Sequence, residues 1–390
     1  MIGRLKNLLG FIWKYFLGAV FCAVLPGSVL VVGWSYRLVR RYVIREWWKL
    51  STRSSATGFA EFLSDNSLQQ EKQVFPNWLL QHRAAKDKDA QRSLRALVRL
   101  FAQSFAINFK LGVQGIFNTW VLTMPGCMLW LFAWYAGWDN SFNKGYEQSW
   151  VGPLTGWIGV LLFIAAMFYV PMAQARQAAT GNWKSFYQFR LVRECVRQQW
   201  FGCLILAGLY SAASLPVTLL RSAPVLMEKM FPSTETMSDA ELYQFLQNYY
   251  FYSCLIVFPV FVFLRLAAGR IYSTALVAAV QRSPEFEEHL DELEKAVLGQ
   301  LGLLKRDEQD ESNPIFRAIG WMGKRTARTA GGFVAFLIWF SFVAQLFVAE
   351  FLVYHPVVGW LNQPLVQLPY FNHVPQHLKE SASKPPQENE

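Results

Sequence analysis

The sequence predicts an all-α, polytopic helical membrane protein of about six transmembrane helices. Three observations predict it. Hydrophobic residues make up 53% of the 390 and charged ones 16%, while aromatics reach 16%. A typical soluble domain carries about 25% charged residues, so this chain has too little charge to coat a water-soluble globule of its size. Third, six charge-free stretches, 15–36, 111–137, 149–175, 198–220, 242–264 and 329–349, reach the length of a membrane span. A helix needs about 20 apolar residues, rising 1.5 Å each, to cross a hydrocarbon core about 30 Å thick. The same composition excludes a disordered chain, a collagen and a small disulfide scaffold.

The first stretch follows Arg4, Lys6 and Lys14, as a signal peptide would. It is longer than a signal peptide's apolar region and no A-x-A site follows, so it reads as a retained anchor helix, residues 1–36. Pro26-Gly27 in its middle predicts a kink or a break. Residues 37–110 form a basic, interfacial segment. Residues 111–282 hold a four-helix core of two hairpins, and 283–328 an amphipathic helix with a linker. Residues 329–354 give the last span, and 355–390 an outer segment with a tail expected to be disordered.

Positive charge orients these spans. Segments 37–110, 176–197 and 265–328 carry 29 Lys and Arg, against 8 in the segments on the other side. The expected location is the inner (plasma) membrane, with the three basic segments in the cytoplasm. The net charge of +10 then points to anionic lipid headgroups as partner, and not to nucleic acid. Trp13, Trp34, Trp120, Trp138, Trp150 and Trp200 fall at expected span ends, where their amphipathic rings anchor a helix.

Two basic stretches are candidates for headgroup contact. Arg37, Arg40, Arg41 and Arg45 follow the first span directly, mixed with Trp and Tyr. Arg92, Arg95 and Arg99 share one face of a helix leading into the second span. Residues 283–305 differ. Ser283 and Pro284 resemble a helix start. Phe286, Leu290, Leu293, Val297, Leu301 and Leu304 recur at steps of three and four, as one apolar stripe. That stripe packs on the protein's own surface or docks a partner, another membrane protein or a second copy.

The candidate intramembrane polar and hinge residues are Asn118, Pro125, Pro216, Pro259, Arg265 and Glu350. Intramembrane polar groups are functional candidates by default because they are costly to bury. Arg265 and Glu350 lie at span boundaries, where Arg265 is expected to snorkel to the surface; Asn118 is expected to bond a neighbouring helix. Pro125 and Pro216 hold similar places in their hairpins, and Arg176-Gln177-Ala178-Ala179 resembles Arg265-Leu266-Ala267-Ala268. This suggests a parallel repeat of the two hairpins.

No catalytic chemistry is legible. Metalloprotease, phosphate-loop, dinucleotide and nucleophile-elbow patterns are missing from the sequence. The five Cys form no CxxC pair and read as small apolar residues. His355, His373 and His377 share the outer segment with Glu350, but Pro375 argues against one helical face aligning them. No catalytic residue, metal or cofactor is expected.

Three runs carry a family resemblance: GWSYRLVRR after the first span, FPNW before the second, and PMAQARQAATGNWKSFYQF after the third. Over about residues 15–282 the chain resembles an uncharacterised prokaryotic family of multi-pass membrane proteins. The resemblance implies a prokaryotic integral membrane protein and supplies no catalytic residues. The expected function is a non-enzymatic scaffold or regulator of a membrane assembly. The alternative is a permease or channel with Asn118, Pro125, Pro216 and Pro259 along its path.

Overall fold

The computed structural model describes residues 2–55, 57–65, 94–133, 151–230, 237–304, 329–341, 368–372, 374 and 378. Among them every regular element is helical. Helix α1 (Ile2–Cys22) and α2 (Leu25–Leu50) are separated by two residues, with Val24 extended at φ −125°, ψ 132°. Pro26 lies in the first turn of α2, where a missing N–H costs nothing; in a continuous helix its ring would strike the carbonyl of residue 22. Stretch 15–36 is therefore two helices and not one span.

The other helices are α3 (Phe59–Asp65), α4 (Leu94–Ala133), α5 (Val151–Thr180), α6 (Phe189–Gln198), α7 (Trp200–Met230), α8 (Asp239–Arg282), α9 (Glu292–Gln300) and α10 (Thr329–Ser341). Four segments are long and apolar enough to cross a membrane: Phe101–Ala133, Val151–Thr180, Trp200–Pro224 and Asp239–Arg282. They match the second to fifth expected spans. The apolar parts of α1 and α10 are shorter, and residues 342–349 of the sixth expected span lie outside the described residues.

Outward faces agree with a membrane setting. Large apolar side chains are exposed along the whole of α4, from Val98 through Phe105, Val113, Phe117 and Val121 to Phe132, at steps of three or four. Leu154, Trp157 and Leu161 continue this surface on α5, and Phe201, Ile205 and Leu219 on α7. A water-soluble monomer rarely exposes so large an apolar surface. The fold is that of a membrane-embedded helical protein.

Glycines set how closely the helices approach. α4 and α5 run antiparallel, and Cβ atoms built at Gly126 and Gly159 would lie 2.9 and 2.8 Å from the other glycine's carbonyl oxygen. α2 crosses α4 still more tightly: a Cβ at Gly33 would lie 1.7 Å from the Asn108 carbonyl oxygen, and one at Gly112 2.1 Å from that of Val29. Small residues let membrane helices meet in this way, with dispersion replacing the missing hydrophobic drive.

α2 also runs parallel to α8. Trp34 lies 6.1 Å from Phe258, Val39 and Val43 pack on Gly269, and Trp47 Nε1 donates to the Ser273 carbonyl at 3.1 Å. α2 is buried on nearly every side from Gly27 to Trp47, so the basic segment after residue 36 is the second half of a central helix. Trp34, placed by sequence at a span end, sits in that core. α1 instead crosses α8: Tyr15, Phe16 and Gly18 all meet it between Phe251 and Phe258.

Residues 283–304 are not one helix. α8 runs on to Arg282, with the Ser283 N–H still bonded to the Ala279 carbonyl, and Pro284–Glu287 form a single 3₁₀ turn. Asp291 then starts α9 through a reciprocal capping box with Glu294. Leu290, Val297 and Leu301 are buried, and Phe286, Leu293 and Leu304 pack against the same core. The stripe is thus covered by the chain itself and offers no open docking face.

Candidate functional site

Polar side chains converge in a belt where α2, α4, α5 and α8 meet, level with the end of α5. Arg265 of α8 is 5% exposed and donates through Nη1 to Gln174 Oε1 of α5. Gln174 Nε2 donates to Thr119 Oγ1 of α4 at 2.7 Å, and Thr119 donates to the Gly115 carbonyl at 2.8 Å. The Arg265 guanidinium also faces the rings of Phe261 and Tyr36, at 5.2 and 5.7 Å from their centroids. One chain of donors therefore ties three helices, with the Tyr36 ring of α2 laid against its charge.

Beside it, Asn118 Nδ2 donates to Gln177 Oε1 at 3.1 Å and to the Trp183 carbonyl at 3.2 Å, while Tyr187 Oη donates to Asn118 Oδ1 at 3.0 Å. Arg37, 1% exposed, donates to Asn108 Oδ1 at 2.9 Å. Further along, Arg176 and Glu294 meet at 3.4 Å with both side chains 0% exposed. Arg176 Nη2 donates to the His289 carbonyl at 2.8 Å, and Tyr272 Oη donates to Glu294 Oε1. A buried ion pair needs such extra bonds, because Coulombic attraction alone barely offsets desolvation.

The structure brings together only part of the expected set. Asn118 bonds a neighbouring helix, and Arg265 is in the belt but does not snorkel. α8 continues past it to Arg282 and packs on α2, which leaves the guanidinium no route outward. Pro125 and Pro216 are exposed on the outer surface and Pro259 is half-buried, so the three line no common path. Among the headgroup candidates, Arg37 and Arg40 are interior and Arg41 half-buried; Arg45, Arg95 and Arg99 are exposed. Burial follows from α2 having helices on nearly every side. Arg92, Glu350, His355, His373 and His377 lie outside the described residues.

Sequence reasoning missed Tyr36, Asn108, Gln174, Gln177, Tyr187 and Glu294. A signal was present: Gln174, Arg176 and Gln177 form a polar run at the end of an apolar helix, and a span boundary explains such a run equally well. The runs 33–41 and 171–189 supply Tyr36, Arg37, Gln174, Arg176, Gln177 and Tyr187, so much of the belt comes from these two segments. In α6, Cys195 is fully buried, and burial pushes its thiol well above the usual range. It is an apolar filler and not a nucleophile.

Compared with protein-family models, curated proteins and solved structures, the chain matches none. What the belt does is therefore read from its own chemistry. Its members are hydrogen-bonded across helices, which makes them cross-links. Gln174→Leu removes an acceptor from a buried guanidinium, and a bond to a charged group contributes about 1.5–3 kcal/mol. Uncharged bonds between membrane helices average about 0.6 kcal/mol, so Gln174→Leu is expected to lower the melting temperature in detergent more than Thr119→Val.

Proposed function

We propose that the chain is a non-enzymatic integral membrane scaffold, which holds other membrane proteins or further copies of itself in one assembly. The observation that carries this reading is the use of the buried polar groups. Arg37 with Asn108, Asn118 with Gln177, Gln174 with Thr119, and Arg176 with Glu294 join α2, α4, α5 and α9 to one another. A rigid body suits a platform. A transport path needs polar groups that can exchange partners with a passing solute, and here two of the four residues that would line it, Pro125 and Pro216, face outward.

The same reading places the chain in a prokaryotic inner membrane with the basic end in the cytoplasm. The excess of Lys and Arg in alternate segments supports that orientation.

The test is purification of the full chain from its native membrane in mild detergent after brief cross-linking. A companion protein, or a second copy, recovered in fixed stoichiometry is expected. Recovery of the chain alone, together with solute efflux from proteoliposomes that contain nothing else, overturns the scaffold in favour of the permease.

A further inference from the structure

The elbow between α5 and α6 carries a surface that none of the buried cross-links uses. Asn182 caps a 3₁₀ turn, Trp183–Tyr187, by accepting from the Lys184 N–H at 3.1 Å, and α6 follows after Gln188. The turn is held from beneath. The Trp183 carbonyl accepts from Asn118, and the Phe186 carbonyl accepts from Tyr169 Oη at 2.8 Å. The Phe189 ring stacks on that of Tyr169 at 5.3 Å. α6 is amphipathic: Leu191, Val192 and Cys195 are buried, while Arg190, Arg193 and Arg197 point outward.

On this fixed frame two large aromatic side chains stay open, Trp183 at 45% and Phe189 at 54% exposure. Around them lie the exposed Lys184, Arg190, Arg193 and Arg197. Two carboxylates lie at this elbow, Glu194, which meets Arg197 at 3.8 Å, and Asp291, which accepts from Asn182 Nδ2 at 3.4 Å, so the four cations keep a surplus of two positive charges. Position decides what such a surface meets. Trp183 is bonded to Asn118, and the next residue of α4, Phe117, belongs to the exposed apolar ridge that also holds Val113 and Val121. The aromatic pair therefore lies beside a lipid-facing surface, at the end of α5, with the cations of α6 next to it.

We propose that the α5–α6 elbow is a seat for anionic phospholipid headgroups, with Trp183 and Phe189 set into the interface and Lys184, Arg190, Arg193 and Arg197 facing the phosphates. Aromatic side chains prefer this level of the bilayer, and guanidinium groups pair with phosphate oxygens through two parallel N–H donors. An acidic protein partner would meet the cations but would gain nothing from aromatics aligned with the lipid-facing ridge. The proposal rests on the membrane setting of the fold and stands apart from the scaffold reading.

The test uses the full chain with Gln188→Cys, an exposed position between the turn and α6, carrying a fluorophore; all five native cysteines are buried. The protein is reconstituted into vesicles of four parts phosphatidylcholine to one part phosphatidylglycerol. A shallow acyl spin label is introduced on one lipid or the other at equal mole fraction. Each cation near the surface favours anionic lipid on the order of fivefold, so phosphatidylglycerol is expected to quench at least about threefold better. The preference should fall to about one with Arg190→Gln, Arg193→Gln and Arg197→Gln combined, which leave the buried face of α6 untouched. In about 1 M salt, where the Debye length is about 3 Å, the unaltered surface should lose most of it as well. Equal quenching by the two lipids overturns the proposal, as does a preference that survives both the substitutions and the salt. A lipid preference in a chain that purifies alone and passes solute in proteoliposomes would sink the scaffold and leave this seat standing.

Discussion

Gly33→Leu is expected to prevent folding of the bundle, giving aggregated protein in size-exclusion chromatography in detergent. Even the first carbon of the new side chain would lie 1.7 Å from the Asn108 carbonyl oxygen and 2.9 Å from the Gly112 backbone nitrogen. Overpacking a core against side chains costs about 1–3 kcal/mol, because rotamers can give way. Here the obstacle is backbone, so α2 and α4 would have to part along the crossing that also seats Tyr36 on Gly115 and Arg37 on Asn108. Two comparisons isolate the cause. At Gly18 the added carbon meets the tip of the Phe258 ring, which can turn, so Gly18→Ala is expected to be milder. At Gly332, exposed on α10, nothing lies within 4 Å, and leucine there should leave stability unchanged or slightly raised. Gly33→Leu protein that stays monodisperse and melts within about 4 °C of the unaltered chain would show that the crossing can relax.

The class of fold was legible because the outward faces of the long helices are apolar, and that is a property of composition. The four candidate spans were legible for the same reason. Their ends were not. A search for charge-free windows stops at Leu264 because Arg265 follows, yet α8 continues through Arg282; neighbouring helices, and not the end of the membrane, decide where a cation is buried. The same error separated residues 37–50 from α2. Arg37 and Arg40 look like a headgroup collar in a linear reading, but α2 is packed on nearly every side, and the partner of Arg37 is 71 positions away. No local pattern encodes that contact. Pro26 is the opposite case, since a proline's effect on its own turn is local, and the break it predicted lies at residues 23 and 24. In 283–304 the expected start, Ser283-Pro284, is not one; Asp291 with Glu294 three residues on is the pair that caps a helix. Ser283 is still bonded to the last turn of α8, so its cap position was already taken.

Glu294→Ala is expected to release α9 from the bundle, seen as a large rise in amide hydrogen exchange over residues 290–303. α9 closes its own ends: the capping box satisfies the first, and at the second Gly302, at φ +71°, lets the Leu303 N–H reach the Leu298 carbonyl at 3.0 Å. Two forces hold α9 down: burial of Leu290, Val297 and Leu301, and the Arg176–Glu294 pair. Each buried leucine or valine contributes about 1.5–3 kcal/mol, so apolar contact alone would keep α9 docked. The single substitution should undock it nonetheless, because the Arg176 guanidinium would remain buried with its carboxylate gone; breaking such a pair from one side costs about 3–5 kcal/mol. The double replacement Arg176→Met with Glu294→Met separates these forces. It removes both charges and keeps the volume, so exchange should return most of the way toward the unaltered chain, short of the roughly 1 kcal/mol lost with the cap. If the double variant exchanges as fast as Glu294→Ala, the ion pair itself is the tether and the apolar contacts are secondary. If Glu294→Ala exchanges no faster than the unaltered chain, the pair has no part in holding α9.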